Sequence, residues 1–173
     1  MVGIEQSDNS VVQGGSPKLD TRELEVAAGV YPGSCLQKGT NANDVVACTA
    51  GAKAIGWAGY NETNALNRPA TIDTIYVVDS LVGMVYGGGF SLRARLANGQ
   101  NVEEGQALVP TAAGELTAAA ALIIDTGSTA VTSVAADGAI ITGDVGDNRL
   151  VAYAREAVDA SGGAAAIVVD SLI

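Results

Sequence analysis

The side chains from which active sites are built are scarce in this chain, and their spacing narrows the chemistry at once. The 173 residues contain no histidine, which removes Ser-His-Asp and Cys-His triads and every imidazole metal site. Cys35 and Cys48 form no Cys-X-X-Cys pair, so neither a thiolate zinc site nor a disulfide framework is expected. The reading for both is free, partly buried thiols; whether they pair depends on a Cα separation that spacing does not give. Asp144, Asp147 and Asn148, with Asp137 nearby, offer oxygens to a calcium ion. Their spacing is not that of an EF-hand, and such loops are also ordinary turns; both readings stay open here. Gly87-Gly88-Gly89-Phe90 lacks the Lys-Ser/Thr of a phosphate loop and reads as a turn.

Carboxylate chemistry fares no better. Glu103 and Glu104 are neighbours on a presumed strand, so they point to opposite faces, and Glu115 lies beyond a turn. A glycosidase would also want an aromatic-lined cleft, and the chain has one Trp and one Phe. The pattern Val102-Glu103-Glu104-Gly105-Gln106-Ala107-Leu108 is similar to the hairpin of biotinyl and lipoyl carrier domains. Those carriers need a lysine to modify, and none follows Lys53. The chain therefore reads as non-enzymatic, with no cofactor.

The elements around these residues are short and strand-like. Ser91-Leu92-Arg93-Ala94-Arg95-Leu96 alternates with a period of two, Leu92 and Leu96 on one face and Arg93 and Arg95 on the other. Asn98-Gly99 supplies a turn, residues 102–109 bring the chain back, and Pro110 ends that strand or lies on an edge. Strands are also expected at 44–49, 54–60, 72–78, 81–86, 122–124, 129–135 and 139–142. Residues 116–121 suit a helical turn, and 149–158 fits a helix or a strand, with a hairpin to 166–169 preferred. No repeat at a solenoid period is visible. The expected fold is all-β, a small β-barrel or β-sandwich with at most one or two short helices. Its expected layout is an extended N-terminal arm at 1–22 followed by one barrel domain at 23–173. The arm reads either as a tail or as a docking segment, with Val11 and Val12 as apolar anchor and Lys18 and Arg22 as charge partners.

Composition supports a β protein. Hydrophobic residues make up 48% and aromatic ones only 4%, so the core must be built from Val, Ile, Leu and Ala. Nineteen acidic residues against nine basic give a net charge of −10, which disfavours nucleic acid and anionic membranes as partners. Few lysines with many carboxylates suit a protein of a salt-loving host; a GC-rich genome with an ordinary acidic protein gives the same composition. No apolar run approaches a membrane span, and the N-terminal residues do not resemble a secretory signal.

Two regions carry a family resemblance. One is Val26-Ala27-Ala28-Gly29-Val30 with Pro32-Gly33, followed by Ala54-Ile55-Gly56-Trp57-Ala58-Gly59-Tyr60. The other runs from Val102 to Leu108 and Ala113-Gly114-Glu115-Leu116, then Arg149 to Ala157 and Ile167 to Leu172. Together they resemble the head decoration, or capsid cement, proteins of tailed phages and their archaeal relatives. The resemblance covers roughly residues 24–173 and departs in the polar loop 61–70 and in the N-terminal arm. It implies a compact β-barrel that assembles as a homotrimer on the outside of a virion, against the major capsid protein, with no catalytic residues to transfer. Subunit or capsid contacts are expected at Val11, Val12, Lys18, Arg22, Trp57 and Tyr60. Two other readings compete: another virion component of the minor capsid or tail type, and a carbohydrate-binding module stacking sugars on Trp57, Tyr60 and Tyr86.

Overall fold

A computed structural model describes residues 10–25, 29–120, 123–124, 141–142 and 150–173. The chain is all-β, built as two small closed five-stranded barrels, and the only helical piece among the described residues is a 3₁₀ turn at Ala112–Gly114. The strands are β1 (Val12–Gly14), β2 (Lys18–Leu24), β3 (Cys35–Lys38), β4 (Asp44–Ala47), β5 (Ala54–Ala58), β6 (Leu81–Tyr86), β7 (Ser91–Leu96), β8 (Asn101–Val102) and β9 (Ala107–Pro110). They continue with β10 (Leu116–Ala118), β11 (Ile123–Ile124), β12 (Ile141–Thr142), β13 (Ala152–Ala154), β14 (Val158–Asp159) and β15 (Ala165–Ser171). The first barrel closes in the order β2-β4-β3-β5-β6 and the second as β7-β10-β9-β13-β15, with β15 returning to β7.

The two barrels are copies of one plan. In each, the first strand pairs parallel with the third, and all other pairs are antiparallel. The registers match, at an offset of 72 residues on the first strand and 71 on the third: Leu24 lies opposite Val45 as Leu96 lies opposite Leu116. Backbone hydrogen bonds repeat as well. Gly33 N–H donates to Ala58 C=O at 2.7 Å, and Gly105 N–H to Ala154 C=O at 2.8 Å. Ser34 N–H donates to Tyr31 C=O at 3.0 Å, and Gln106 N–H to Glu103 C=O at 3.1 Å. The shared sequence is thin: Val30-x-x-Gly33-x-x-Leu36 against Val102-x-x-Gly105-x-x-Leu108. Its valines and leucines are fully buried in their own barrels, and its glycines both hold φ near +82°, a conformation that glycine adopts without a Cβ penalty.

Alternation along the strands builds two cores. In the first barrel Leu24, Leu36, Val45, Ala58, Val82 and Met84 point inward, joined by Val30 and Tyr76. The opposite faces of β3, β5 and β6 bring Cys35, Trp57 and Val85 outward, yet these are also fully buried, because they pack into the core of the second barrel with Leu92, Leu108 and Val169. Three sets of contacts fix the junction. Trp57 Nε1–H donates to Ser171 Oγ at 2.9 Å. The Arg95 guanidinium sits over the Tyr31 ring, 4.1 Å from its centroid, and 3.6 Å from Asp73. Gly87-Gly88-Gly89, all at positive φ, carries the chain between barrels, and the C-terminus pins it through Gly88 N–H to Ile173 C=O and Gly89 N–H to Ser171 C=O.

Several expectations change. The proposed boundary between arm and barrel at residues 22 and 23 falls inside β2, and residues 12–14 are paired with β7. Residues 72–78 are turns and irregular backbone instead of a strand, because Tyr76 folds inward to the first core. Asn98-Gly99 turns the chain, but β7 and β9 do not pair with each other; β10 lies between them. The helical turn expected at 116–121 begins as strand β10, in register with β9. The hairpin preferred for 149–158 is borne out: residues 152–154 form β13, paired antiparallel with β15. The strand expected at 129–135 and the acidic loop of Asp137, Asp144, Asp147 and Asn148 lie outside the described residues.

Candidate contact surface

Several large apolar groups of the first barrel and of its 59–80 connection stand in water. Leu66 is 93% exposed and Val77 73%, with Ile75, Val78, Leu81 and Leu19 also open. Leu19 and Leu81 occupy outward positions on β2 and β6. The others ride on the connection at residues 59–80, which is tied down at both ends. The Tyr76 hydroxyl bonds Gly59 C=O and lies 3.0 Å from Thr63 Oγ1, which accepts Gly83 N–H at 2.9 Å. Tyr60 Oη donates to Ala70 C=O at 3.1 Å, and Arg68 lies over the Tyr60 ring at 5.1 Å. Asp79, at φ +59°, turns the chain so that its N–H meets Leu24 C=O, leaving Val77 and Val78 outside. A single exposed leucine needs no explanation, but a set on one braced connection is the anatomy of a contact surface.

Charge and titration are set locally. The Thr40 hydroxyl and N–H, at 2.5 and 2.6 Å, hold the Glu25 carboxyl below its ordinary range. The Ser161 N–H does the same for Asp159. Burial pushes the Tyr76 phenol up to about 12. Cys35 and Cys48 are free and fully buried, their sulfurs 3.4 Å apart. Burial first, and the neighbouring thiol second, raise Cys35 well above the usual range. Cys35 is thus held protonated, and both thiols are shielded from reagents by burial, the setting of inert cysteines. Among the described residues no three His, Cys, Asp or Glu side chains converge. Glu103 and Glu104 stand exposed in the turn between β8 and β9, and do not occupy a strand.

The six residues singled out from sequence are scattered. Val11 is 2% exposed, in the core of the second barrel, and Val12 is half-buried on β1. Trp57 is sealed between the barrels, where no sugar can stack on it, and Tyr60 is half-buried under Arg68. Lys18 is exposed at the start of β2. Arg22 pairs with Asp20 at 2.7 Å and donates to Ala42 C=O at 3.1 Å. The sequence reading passed over Leu19, Leu66 and Val77. Its clue for Val77 and Val78 was available: a β-branched pair beside Asp79-Ser80, a polar turn that breaks the strand. Compared with models of protein families and with curated proteins, the chain matches none.

Proposed function

We propose that the chain is a structural virion protein, a cement protein that seats as a homotrimer on the outside of a viral capsid and ties neighbouring capsid subunits together. The observation that carries this reading is the apolar set Leu66, Ile75, Val77 and Val78, held out on a braced connection by an otherwise acidic protein. Two mutually docked barrels give a rigid body with few free edges, which suits a protein packed at high local concentration. Burying one such leucine or valine fully is worth roughly 1.5–3 kcal/mol, and modest contacts repeated over a lattice become firm attachment. The resemblance to decoration proteins points the same way. Neither nucleic acid nor membrane is a partner in this reading, and no cofactor takes part.

The test is co-sedimentation with the capsids of the source virus, stripped and re-decorated. Leu66→Glu and Val77→Glu should lower occupancy while leaving the melting temperature of the free protein unchanged. Full occupancy by both variants, or no binding by the unaltered chain, overturns the proposal.

A further inference from the structure

The tandem plan gives each feature of one barrel a counterpart in the other, and one pair does not match. In the second barrel, the edge of β7 away from β15 is occupied: β10 covers it at Leu96, and β1 covers its first half. Val12 lies opposite Leu92, Gly14 opposite Ser91, and Arg93 N–H donates to Val11 C=O at 2.7 Å. In the first barrel β4 covers the equivalent edge of β2 only at Glu23 and Leu24, and no described strand lies on its first half. Thr21, the counterpart of Arg93, gives its N–H to the Asp20 carboxylate at 2.8 Å. A side chain thus fills the place that a backbone carbonyl takes in the second barrel. Leu19, the counterpart of buried Ser91, is 56% exposed.

The geometry points to this half-edge of β2, Lys18 to Thr21, as the seat of an added strand, and to residues 1–9 of a second copy of this chain as that strand. This deepens the proposed function and rests on it, since a shell component works as many adjoining copies. The chemistry of the occupant is displayed inside the molecule, where the residues directly following that segment already cover the matching edge of β7. Drawn out as a strand, the segment would place Val2 and Ile4 on one face, where they can cover Leu19. Its Glu5 then falls on the opposite face, the side of Lys18, whose charge it complements. Nine extended residues reach at most roughly 30 Å, enough to bridge adjoining copies. Strand addition supplies affinity through backbone bonds and register through the alternate side chains. On docking, a carbonyl of the incoming strand replaces the Asp20 carboxylate at Thr21 N–H.

Two single variants of the full chain, Ile4→Cys and Leu19→Cys, test the proposal when mixed under mild oxidation. Because each cysteine is on a different molecule, only contact between copies gives the mixed disulfide, and mass spectrometry identifies it. The mixed dimer is expected to dominate over either self-dimer, and a chain beginning at Ser10 should show a lower assembled mass by light scattering. Absence of the mixed product overturns the inference, as does a double variant that closes on itself within one chain. So does a shortened chain that assembles like the full one. Any of these leaves the cement reading standing if the chain still decorates capsids; failure of the unaltered chain to bind capsids removes that reading instead.

Discussion

Gly33 and Gly105 form an internal control that few proteins offer. Both hold φ near +82°, and each donates its N–H to the carbonyl of the equivalent alanine. Their surroundings differ. A Cβ on Gly105 would meet nothing within 4 Å, whereas one on Gly33 would be driven into the carbonyl oxygen of Arg93, on β7 of the other barrel. That oxygen is backbone on a strand held by β15 along its length, so it has little room to yield. Alanine at such a φ costs about 1–2 kcal/mol, so Gly105→Ala should destabilise by about that much. Gly33→Ala bears the same backbone cost plus overpacking, typically about 1–3 kcal/mol, for a total of about 2–5 kcal/mol. The difference between the variants isolates the contact between barrels. For a chain of this length each kcal/mol moves Tm by about 2–4 °C. Urea unfolding with both variants at equal m-values is the assay. Equal stabilities, or Gly105→Ala as the worse of the two, would refute the claim that Gly33 is required by the docked barrels and not merely by its own turn.

Other expectations follow from the same geometry. Ser171→Ala should cost about 1–3 kcal/mol by orphaning the buried Trp57 N–H, and clearly less in a Trp57→Phe background; equal costs in a double-mutant cycle would deny the coupling. Tyr76, lifted by burial to about 12, contributes stability that is whole below its unfolded value near 10 and is lost as pH rises through 12. The loss is about 2–3 kcal/mol, so Tyr76→Phe should flatten the alkaline limb of stability against pH. Cys35 and Cys48 should react with thiol reagents only at the rate of unfolding; fast labelling of the native protein would contradict their burial. With a net charge of −10, Tm should rise from low to molar salt as self-repulsion is screened, and a flat or falling curve would count against that.

Period-two patterns were legible wherever one face of a strand is buried. Residues 91–96 were read correctly because Leu92 and Leu96 line the barrel interior while Arg93 and Arg95 face outward. Strands β5 and β6 were expected where they lie, but alternation could not tell their inward from their outward residues, because both faces are buried, one in each core. A strand buried on both faces shows no alternation, and Trp57 therefore gave no sign that it seals a junction. The doubling of the barrel was hidden for a related reason. Closure depends on a few inward positions and one glycine per copy, and different apolar residues satisfy it equally: Val45 in one barrel is Leu116 in the other. Residues 72–78 misled because β-branched composition is shared by strands and by connections that present apolar side chains outward. For Leu19 and Leu66 no sequence signal existed, since exposure depends on what fails to cover them.

Where the copies differ, the differences explain why the stack stops at two. The inward row of β2 reads Asp20, Arg22, Leu24; its counterpart on β7 reads Leu92, Ala94, Leu96. The second barrel needs the apolar row because Trp57, Cys35 and Val85 of the first barrel pack into that core. The first barrel has no described neighbour at the matching place, and its Asp20–Arg22 pair stays partly exposed there. Docking a third barrel on it would bury both charges, and desolvation costs several kcal/mol per ion before any pairing is recovered. The far end is closed by the same means. Tyr153 stands where Trp57 stands in the first barrel but is 41% exposed, and Asp170, in the place of Val85, lies 3.7 Å from Arg155. Polar groups therefore occupy, at each free end, the positions that are apolar at the junction. Adding a third barrel head to tail would bury these polar groups among the described residues, so the proposed contacts between copies fall to the braced apolar connection and the half-edge of β2.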